Sequence, residues 1–180
     1  MKYVAFLHGI NQGRHNRIEM SELVRILEAR GLKNIKTYRQ NGNVVFDSDL
    51  DAVTLKRMIE REIFIVYYYV VPVIVMEVTE LKNVIDNCPF SHEEIKKARK
   101  QTGEPLYIIL LNKPLEEDKQ TLLRQLGEYD YYQYLDRAIY LLFFDRLIRS
   151  SILVHNITQI DVYAVVRDVD TLKKLIQLSE

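Results

Sequence analysis

The sequence predicts an α+β fold of two ferredoxin-like subdomains, each an antiparallel sheet with its helices on one face. Apolar patterns over residues 1–77 follow the order strand, helix, strand, strand, helix, strand, which is the split β-α-β unit. The Asn41-Gly42 pair separates the second and third strand patterns and predicts a type I′ hairpin turn, in which both residues have positive φ. Residues 78–180 give a similar but less regular order, so we expect a second, degenerate ferredoxin-like subdomain there.

The elements of the first subdomain follow from the spacing of apolar residues. In order, the pattern predicts a strand at 2–7, a helix over 20–27 ended by Gly31, strands at 35–40 and 43–47, a helix over 55–66 and a strand at 70–76. Asn16 and Ser21 are alternative N-caps for the first helix, and the second helix follows Asp49 or Asp51. Pro72 cannot donate a hydrogen bond to a strand ladder, so we expect it at a sheet edge or a strand start.

The second subdomain is predicted from the same periodicities. In order, the pattern predicts helical segments over 81–100 broken near Cys88-Pro89, a strand at 106–111, a helix over 115–126, a hairpin over 129–144, a strand at 162–166 and a helix over 172–178. Ser91 is the expected N-cap of the second helical segment, Pro114 the expected start of the next helix, and Asp136-Arg137 the expected hairpin turn.

Composition indicates a folded, soluble protein, and we expect it to be cytoplasmic. The chain has 180 residues, 48% of them hydrophobic, and 25 basic residues balance 25 acidic ones. Cys88 is the single cysteine, which excludes a disulfide framework within the chain and a zinc cluster built on cysteines. No apolar run has the length of a transmembrane segment or of a signal peptide, so we expect no association with a membrane.

The neutral net charge conceals an asymmetry along the chain. Residues 1–48 contain eight Lys and Arg side chains and four Asp and Glu side chains, which gives +4 and leaves −4 for the remainder. A neutral chain excludes a polycationic coat protein, but a basic segment can still bind an anion. An anion site is therefore expected in the first quarter of the chain.

The loop of residues 8–17 is the candidate ligand site. Glycines let backbone N–H groups converge on an anion, and arginine and asparagine side chains add further donors. The candidate ligand-binding residues are Gly9, Asn11, Gly13, Arg14, Asn16 and Arg17, with His8, Gln40 and Asn43 as secondary candidates. We expect the hairpin residues to reach this loop only if the loop folds back over the sheet. The alternative is that the glycines and asparagines only shape a long loop.

The sequence also bears on three other functional classes: nucleotide- or cofactor-dependent proteins, metabolite-modifying enzymes and nucleic-acid-binding proteins. The loop matches neither the dinucleotide-binding nor the P-loop pattern, and no cofactor or metal site is predicted. An enzyme acting on a phosphorylated or carboxylated metabolite, with His8 or His15 as acid/base, is the first alternative to an anion-binding or regulatory module. Nucleic-acid binding by the basic first quarter is the second alternative, although the strand at 43–47 lacks the aromatic pattern of RNA-binding sheets.

Seven of the 12 tyrosines fall in two short segments, 67–69 and 129–134. Tyrosine combines an apolar ring with a polar tip and suits packing between subdomains or an interface with a partner. The apolar strand at 70–76, if it lies at an edge, offers a homodimer by strand addition, which Pro72 opposes.

Two blocks of the sequence resemble the signature of the DUF1697 family of small bacterial proteins of unknown function. Residues 7–20 (LHGINQGRHNRIEM) and 37–46 (TYRQNGNVVF) are similar to its patterns LRGINVGGxNxIxM and TYxxSGNVxF. The resemblance implies two ferredoxin-like halves. The chain departs from the family pattern at His8, Arg14 and Asn41, and the C-terminal family block TxRNWxT remains only as residues 167–171, without its Trp.

Overall fold

The structure, a computed structural model, describes residues 1–145 and 150–180. In chain order its elements are β1 (Lys2–Leu7), α1 (Met20–Glu28), β2 (Lys33–Thr37), β3 (Asn43–Asp47), α2 (Ala52–Tyr67), β4 (Val73–Glu77), α3 (Val78–Asp86), α4 (His92–Thr102), β5 (Leu106–Leu110), α5 (Glu117–Leu126), β6 (Tyr132–Leu135), β7 (Ala138–Leu142), α6 (Ile152–Ile160), β8 (Val165–Asp168) and α7 (Val169–Ser179). None of the helices in these ranges is long and apolar enough to cross a bilayer.

The chain forms two compact units, one of Met1–Asn83 with Lys173–Glu180 and one of Val84–Leu172. The first unit contains an antiparallel sheet in the order β2-β3-β1-β4, and the second contains one in the order β6-β7-β5-β8. Both orders place the first strand of the unit in the centre, between the hairpin and the last strand, as in the ferredoxin-like plait. The predicted fold class, α+β with two ferredoxin-like subdomains, is confirmed.

The core of the first unit forms between one face of its sheet and the helices α1 and α2. Alternate residues of β1 point to this face, and the helix stripes close over it. The fully buried members include Tyr3, Leu7, Leu23, Leu27, Phe46, Leu55, Ile59 and Ile63. The second unit has a comparable cluster that includes Ile109, Ile139, Leu141, Leu123, Leu153 and Ile160.

The first helix starts differently from the prediction. Its N-cap is Glu19, which has extended backbone and no side-chain capping bond, so both Asn16 and Ser21 are wrong as N-caps. The Asn16 side chain donates instead to the carbonyl of Gly9, at 3.5 Å. The N-cap of the second helix is Asp51, which is one of the two residues predicted to precede it. Its carboxylate accepts a hydrogen bond from the backbone N–H of Thr54.

The hairpin between β2 and β3 is also longer than the predicted two-residue turn. Positive φ falls on Arg39 (59°) and Gly42 (82°) and not on Asn41, so the type I′ assignment is wrong. The strand β2 ends at Thr37, and the Asn43 side chain donates to the Tyr38 carbonyl and to the Asn41 side chain, at 2.9 and 2.7 Å. These side-chain hydrogen bonds stabilise a loop wider than two residues. The strand pattern of the sequence does not predict them.

Other boundaries agree with the sequence or shift by a few residues. Pro72 immediately precedes β4, which is an edge strand, and Ser91 caps α4 with a full capping box. The turn between β6 and β7 contains Asp136, with φ of 51°. Pro114 does not start α5, because the first turn of that helix begins after its N-cap Glu116.

Residues 167–171 form the junction from β8 to α7. The carboxylate of Asp168 accepts hydrogen bonds from the backbone N–H and the hydroxyl of Thr171, both at 2.7 Å. Both residues are buried. Asp168 therefore serves as a buried N-terminal cap for the last helix.

Candidate anion-binding site at one end of the first sheet

Three segments meet at the end of the first unit's sheet where β1 stops. They are the loop 8–17 after β1, the hairpin tip 38–42 before β3, and the segment 68–72 before β4. They meet because β3 and β4 both run antiparallel to β1, so both of these strands begin where β1 ends. The backbone N–H of Leu7 donates to the Gly42 carbonyl at 2.8 Å, and that of His8 donates to the Pro72 carbonyl at 2.9 Å.

Asn11 holds the loop against the hairpin tip. Its side-chain amide donates to the carbonyls of Gln40 and Ile18, at 2.6 and 2.9 Å, and its side-chain oxygen accepts from the Ile18 N–H at 2.8 Å. Asn11 has positive φ (54°), a conformation that asparagine tolerates better than most residues. Three hydrogen bonds from one side chain therefore fix both ends of the loop to each other and to the hairpin.

Residues 11–16 form a closed turn within the loop. The backbone N–H of Asn11 donates to the Asn16 carbonyl at 3.0 Å, and both residues have positive φ. Gly9 and Gly13 also have positive φ, while a Cβ on either would meet nothing within 4 Å. These two glycines thus permit the path of the loop and are not required by packing.

Gly42 is required by close packing as well as by its backbone. A Cβ at this position would lie 2.6 Å from Leu7 Cβ and 3.0 Å from Ile10 Cδ1, and the φ of Gly42 is 82°. The hairpin tip can therefore lie on the end of β1 only because residue 42 has no side chain. Gln40 joins the site through its backbone carbonyl, and the buried Asn43 amide bonds within the tip.

The basic side chains of the loop point to solvent. Arg14 and Arg17 are exposed, and neither forms an ion pair with any residue in the described ranges. Their neighbour His15 is exposed in the closed turn, whereas His8 is half-buried at the end of β1. Within residues 1–145 and 150–180, the backbone N–H groups of residues 12–15 find no hydrogen-bond acceptor. The hairpin adds Arg39, whose guanidinium lies 5.4 Å from the centre of the Tyr38 ring.

The N-terminus of α1 brings two carboxylates to the candidate site together with the positive end of the helix dipole. Glu19 is the N-cap and Glu22 lies in the first turn, where carboxylates already complement the dipole. Glu22 accepts a hydrogen bond from the Tyr67 hydroxyl at 2.6 Å. Burial, and then this bond to Glu22, raise the pKa of Tyr67 above its ordinary value. The donors available to an anion are therefore those of the loop itself.

The tyrosines at 67–69 have different surroundings. Tyr69 donates from its hydroxyl to the carbonyl of Arg17 at 2.9 Å, which ties the third segment to the loop, and its ring lies 5.9 Å from that of Tyr67. Tyr68 ends α2 with positive φ and is exposed. Tyr69 is not among the site residues predicted from the sequence, yet it contacts the loop. The antiparallel pairing of β1 with β4 is the signal that places it there, because it brings the residues before Pro72 beside the loop.

Comparisons with known proteins agree with this fold. The model of the family described as a protein of unknown function (DUF1697) matches residues 1–140. A solved structure, that of the conserved bacterial protein SP0830 from Streptococcus pneumoniae, is similar with a TM-score of 0.73 and 20% sequence identity. The similarity covers 99% of this chain and 98% of that chain, and at this identity it concerns the fold alone. Comparison with curated proteins finds no match. Since the family model covers most of its length, the chain belongs to the DUF1697 family.

Proposed function

We propose that this protein binds a small anionic ligand, a phosphate or carboxylate compound, at the loop 8–17. The observation that carries the proposal is the clamp formed by Asn11, whose side chain ties the loop to Ile18 and to the Gln40 carbonyl, while Arg14 and Arg17 are exposed and form no ion pair in the described part of the chain. A binding loop that is ordered before the ligand arrives loses less conformational entropy on binding.

The charge distribution of the loop supports the same proposal. Residues 8–18 contain no acidic side chain, and two arginines and two histidines lie among them. A guanidinium can donate two parallel hydrogen bonds to a phosphate or carboxylate, and the accessible backbone N–H groups of residues 12–15 supply neutral donors beside it. Gly9 and Gly13 leave space for the close approach of a ligand to the backbone.

Native mass spectrometry of freshly purified protein, followed by titration with a panel of phosphorylated and carboxylated metabolites, tests the proposal. We expect at least one panel member to bind and its affinity to fall at least about tenfold in Arg14→Ala and in Arg17→Ala, since each removes a charge-assisted contact. Lys33→Ala is the matched control, because Lys33 is an exposed cation at the start of β2, away from the loop. The absence of binding across the panel, or equal losses in all three variants, would contradict the proposal.

The same preparation distinguishes the two alternatives. Catalytic turnover of a bound metabolite that is abolished in His8→Ala while affinity is kept would indicate an enzyme. Binding to mixed RNA that weakens steeply with salt would indicate a nucleic-acid protein.

A further inference from the structure

The solvent face of α2 carries apolar and arginine side chains in one stripe. At 3.6 residues per turn, positions 53, 57, 61 and 64 share one face of this 16-residue helix, and Tyr68 continues the stripe at its end. Val53, Phe64 and Tyr68 are 60%, 51% and 83% exposed, and Arg57 and Arg61 are exposed between them. The opposite face of the helix is buried in the core of the unit.

The stripe carries net positive charge. Arg57 and Arg61 form no ion pair with residues of the described ranges. The carboxylates of the same helix are engaged elsewhere, since Glu60 accepts from the Val73 N–H at 3.0 Å and Glu62 pairs with Arg30 at 2.8 Å. An occupant of this face must therefore supply both apolar contacts and negative charge.

We propose that the α2 stripe docks an acidic amphipathic helix of a partner protein. Apolar side chains of that helix pack on Val53, Phe64 and Tyr68, and carboxylates three or four residues apart meet Arg57 and Arg61. Aromatic residues and arginine are the residue types that contribute most of the binding energy at protein interfaces. This proposal is independent of ligand binding by the loop 8–17.

Two other occupants fit the stripe less well. In an antiparallel pairing with a second copy that is centred on the middle of the stripe, Arg57 of each helix would face Arg61 of the other, and these like charges oppose such a dimer. Single-stranded nucleic acid binds through aromatic platforms that stack successive bases. The stripe, however, also contains Val53, and the 47% exposed Ile65 flanks it one turn after Arg61. These aliphatic side chains suit the apolar face of a helix.

The length of the stripe limits the affinity expected for the partner helix. A helix of 16 residues is about 24 Å long, so one helix laid along it buries an area at the low end for specific interfaces. We expect dissociation constants in the micromolar range.

Selection from a random 16-residue peptide library displayed on phage, with the full chain as bait, tests the proposal. We expect the selected peptides to combine Asp or Glu with apolar residues at helical spacing. Their dissociation constants, measured by fluorescence anisotropy, should rise at least about tenfold in the double variants Phe64→Ser/Tyr68→Ser and Arg57→Glu/Arg61→Glu. Arg124→Glu, an exposed charge reversal on α5, is the control that should bind as the unmodified chain does.

Other results overturn the proposal. These are selected peptides without acidic residues, peptides that bind both double variants as well as the unmodified chain, or no enrichment at all. Tight binding of a labelled oligouridine that both double variants lose would assign the stripe to nucleic acid instead. Thermal unfolding by circular dichroism checks that each variant is folded, and single substitutions replace any double variant that is not.

Discussion

Asn11 and Gln40 lie 29 residues apart in the sequence and are joined by a hydrogen bond of 2.6 Å from the Asn11 side-chain amide to the Gln40 carbonyl. The same amide also donates to the Ile18 carbonyl. A single asparagine therefore connects the loop after β1, the residue two positions before α1 and the β2–β3 hairpin. The candidate site depends on this connection, because it ties the loop that carries Arg14 and Arg17 to the hairpin.

The first prediction concerns Asn11→Ala. It removes three hydrogen bonds and leaves the N–H of the buried Ile18 without its acceptor, so we expect the free energy of unfolding to fall by about 3 kcal/mol. Asn34→Ala is the matched control, since Asn34 also has positive φ (52°) but makes one exposed side-chain bond, to Asp47. Urea unfolding measures both variants. Equal losses in the two would mean that backbone conformation, and not the clamp, accounts for the effect.

The second prediction compares two glycines of the site. Gly42→Ala places a methyl group 2.6 Å from Leu7 Cβ, and we expect a loss of about 3 kcal/mol or more from overpacking and unfavourable φ together. Gly13→Ala has a similar φ (70°) but open space around it, so its loss should be about 1 kcal/mol. Chemical denaturation of the two variants gives the comparison. A Gly42→Ala variant no less stable than Gly13→Ala would contradict the close packing of the hairpin tip on β1.

The third prediction is a dependence of stability on alkaline pH through Tyr140. Its ring is buried in the second unit, its hydroxyl donates to the Val84 carbonyl at 2.7 Å, and burial raises its pKa to about 12. In the unfolded chain the tyrosine ionises near its ordinary pKa of 10.0. Since the folded pKa is the higher one, the stabilising contribution is complete below pH 10 and is lost as the pH rises from about 10 to about 12.

Comparison with Tyr140→Phe isolates this contribution. The variant lacks the hydrogen bond to Val84 and should be about 1 kcal/mol less stable at pH 8. Phenylalanine does not ionise, so only the unmodified protein loses stability as the pH rises. Its advantage over Tyr140→Phe should therefore shrink above about pH 10, and the variant should then become the more stable protein. Urea unfolding from about pH 8 to about pH 11.5 follows both proteins across the window in which the unfolded tyrosine ionises first. Stability curves that stay parallel over this range would contradict the raised pKa.

The fourth prediction concerns the cap of the last helix. Asp168→Ala removes both acceptors of Thr171, and since both residues are buried we expect a loss of about 2 kcal/mol. Asp168→Asn should retain much of the stability, because asparagine also caps helices well. Thermal and urea unfolding measure the series, with Ser91→Ala, an exposed cap, as a reference expected to lose about 1 kcal/mol. Equal losses for the alanine and asparagine variants at position 168 would show that capping is not the role of Asp168.

The fold class and the order of the elements in the first unit are predictable from local sequence patterns. The helical spacing of Leu23 and Leu27 and the continuous apolar run Val73–Met76 are both local features of the sequence. Such local patterns are what a helix face and a buried strand require. The capping box at Ser91 was likewise predictable, because its partners are three residues apart and the motif is local. The family signature at residues 7–20 and 37–46 located the candidate loop for the same reason, since both blocks are continuous in the chain.

Which residues come together at the candidate site depends on tertiary contacts that local patterns do not contain. The type I′ turn and the capping role of Asn16 were wrong because Asn16 and Asn43 make side-chain bonds within their own loops, and a pattern of residue types does not say which of several nearby backbone groups an asparagine will bind. The meeting of Asn11 with Gln40, and of Arg17 with Tyr69, depends on the antiparallel pairing of β1 with both β3 and β4. Such pairing is a contact between residues far apart in the chain, and it is settled by the packing of the whole sheet.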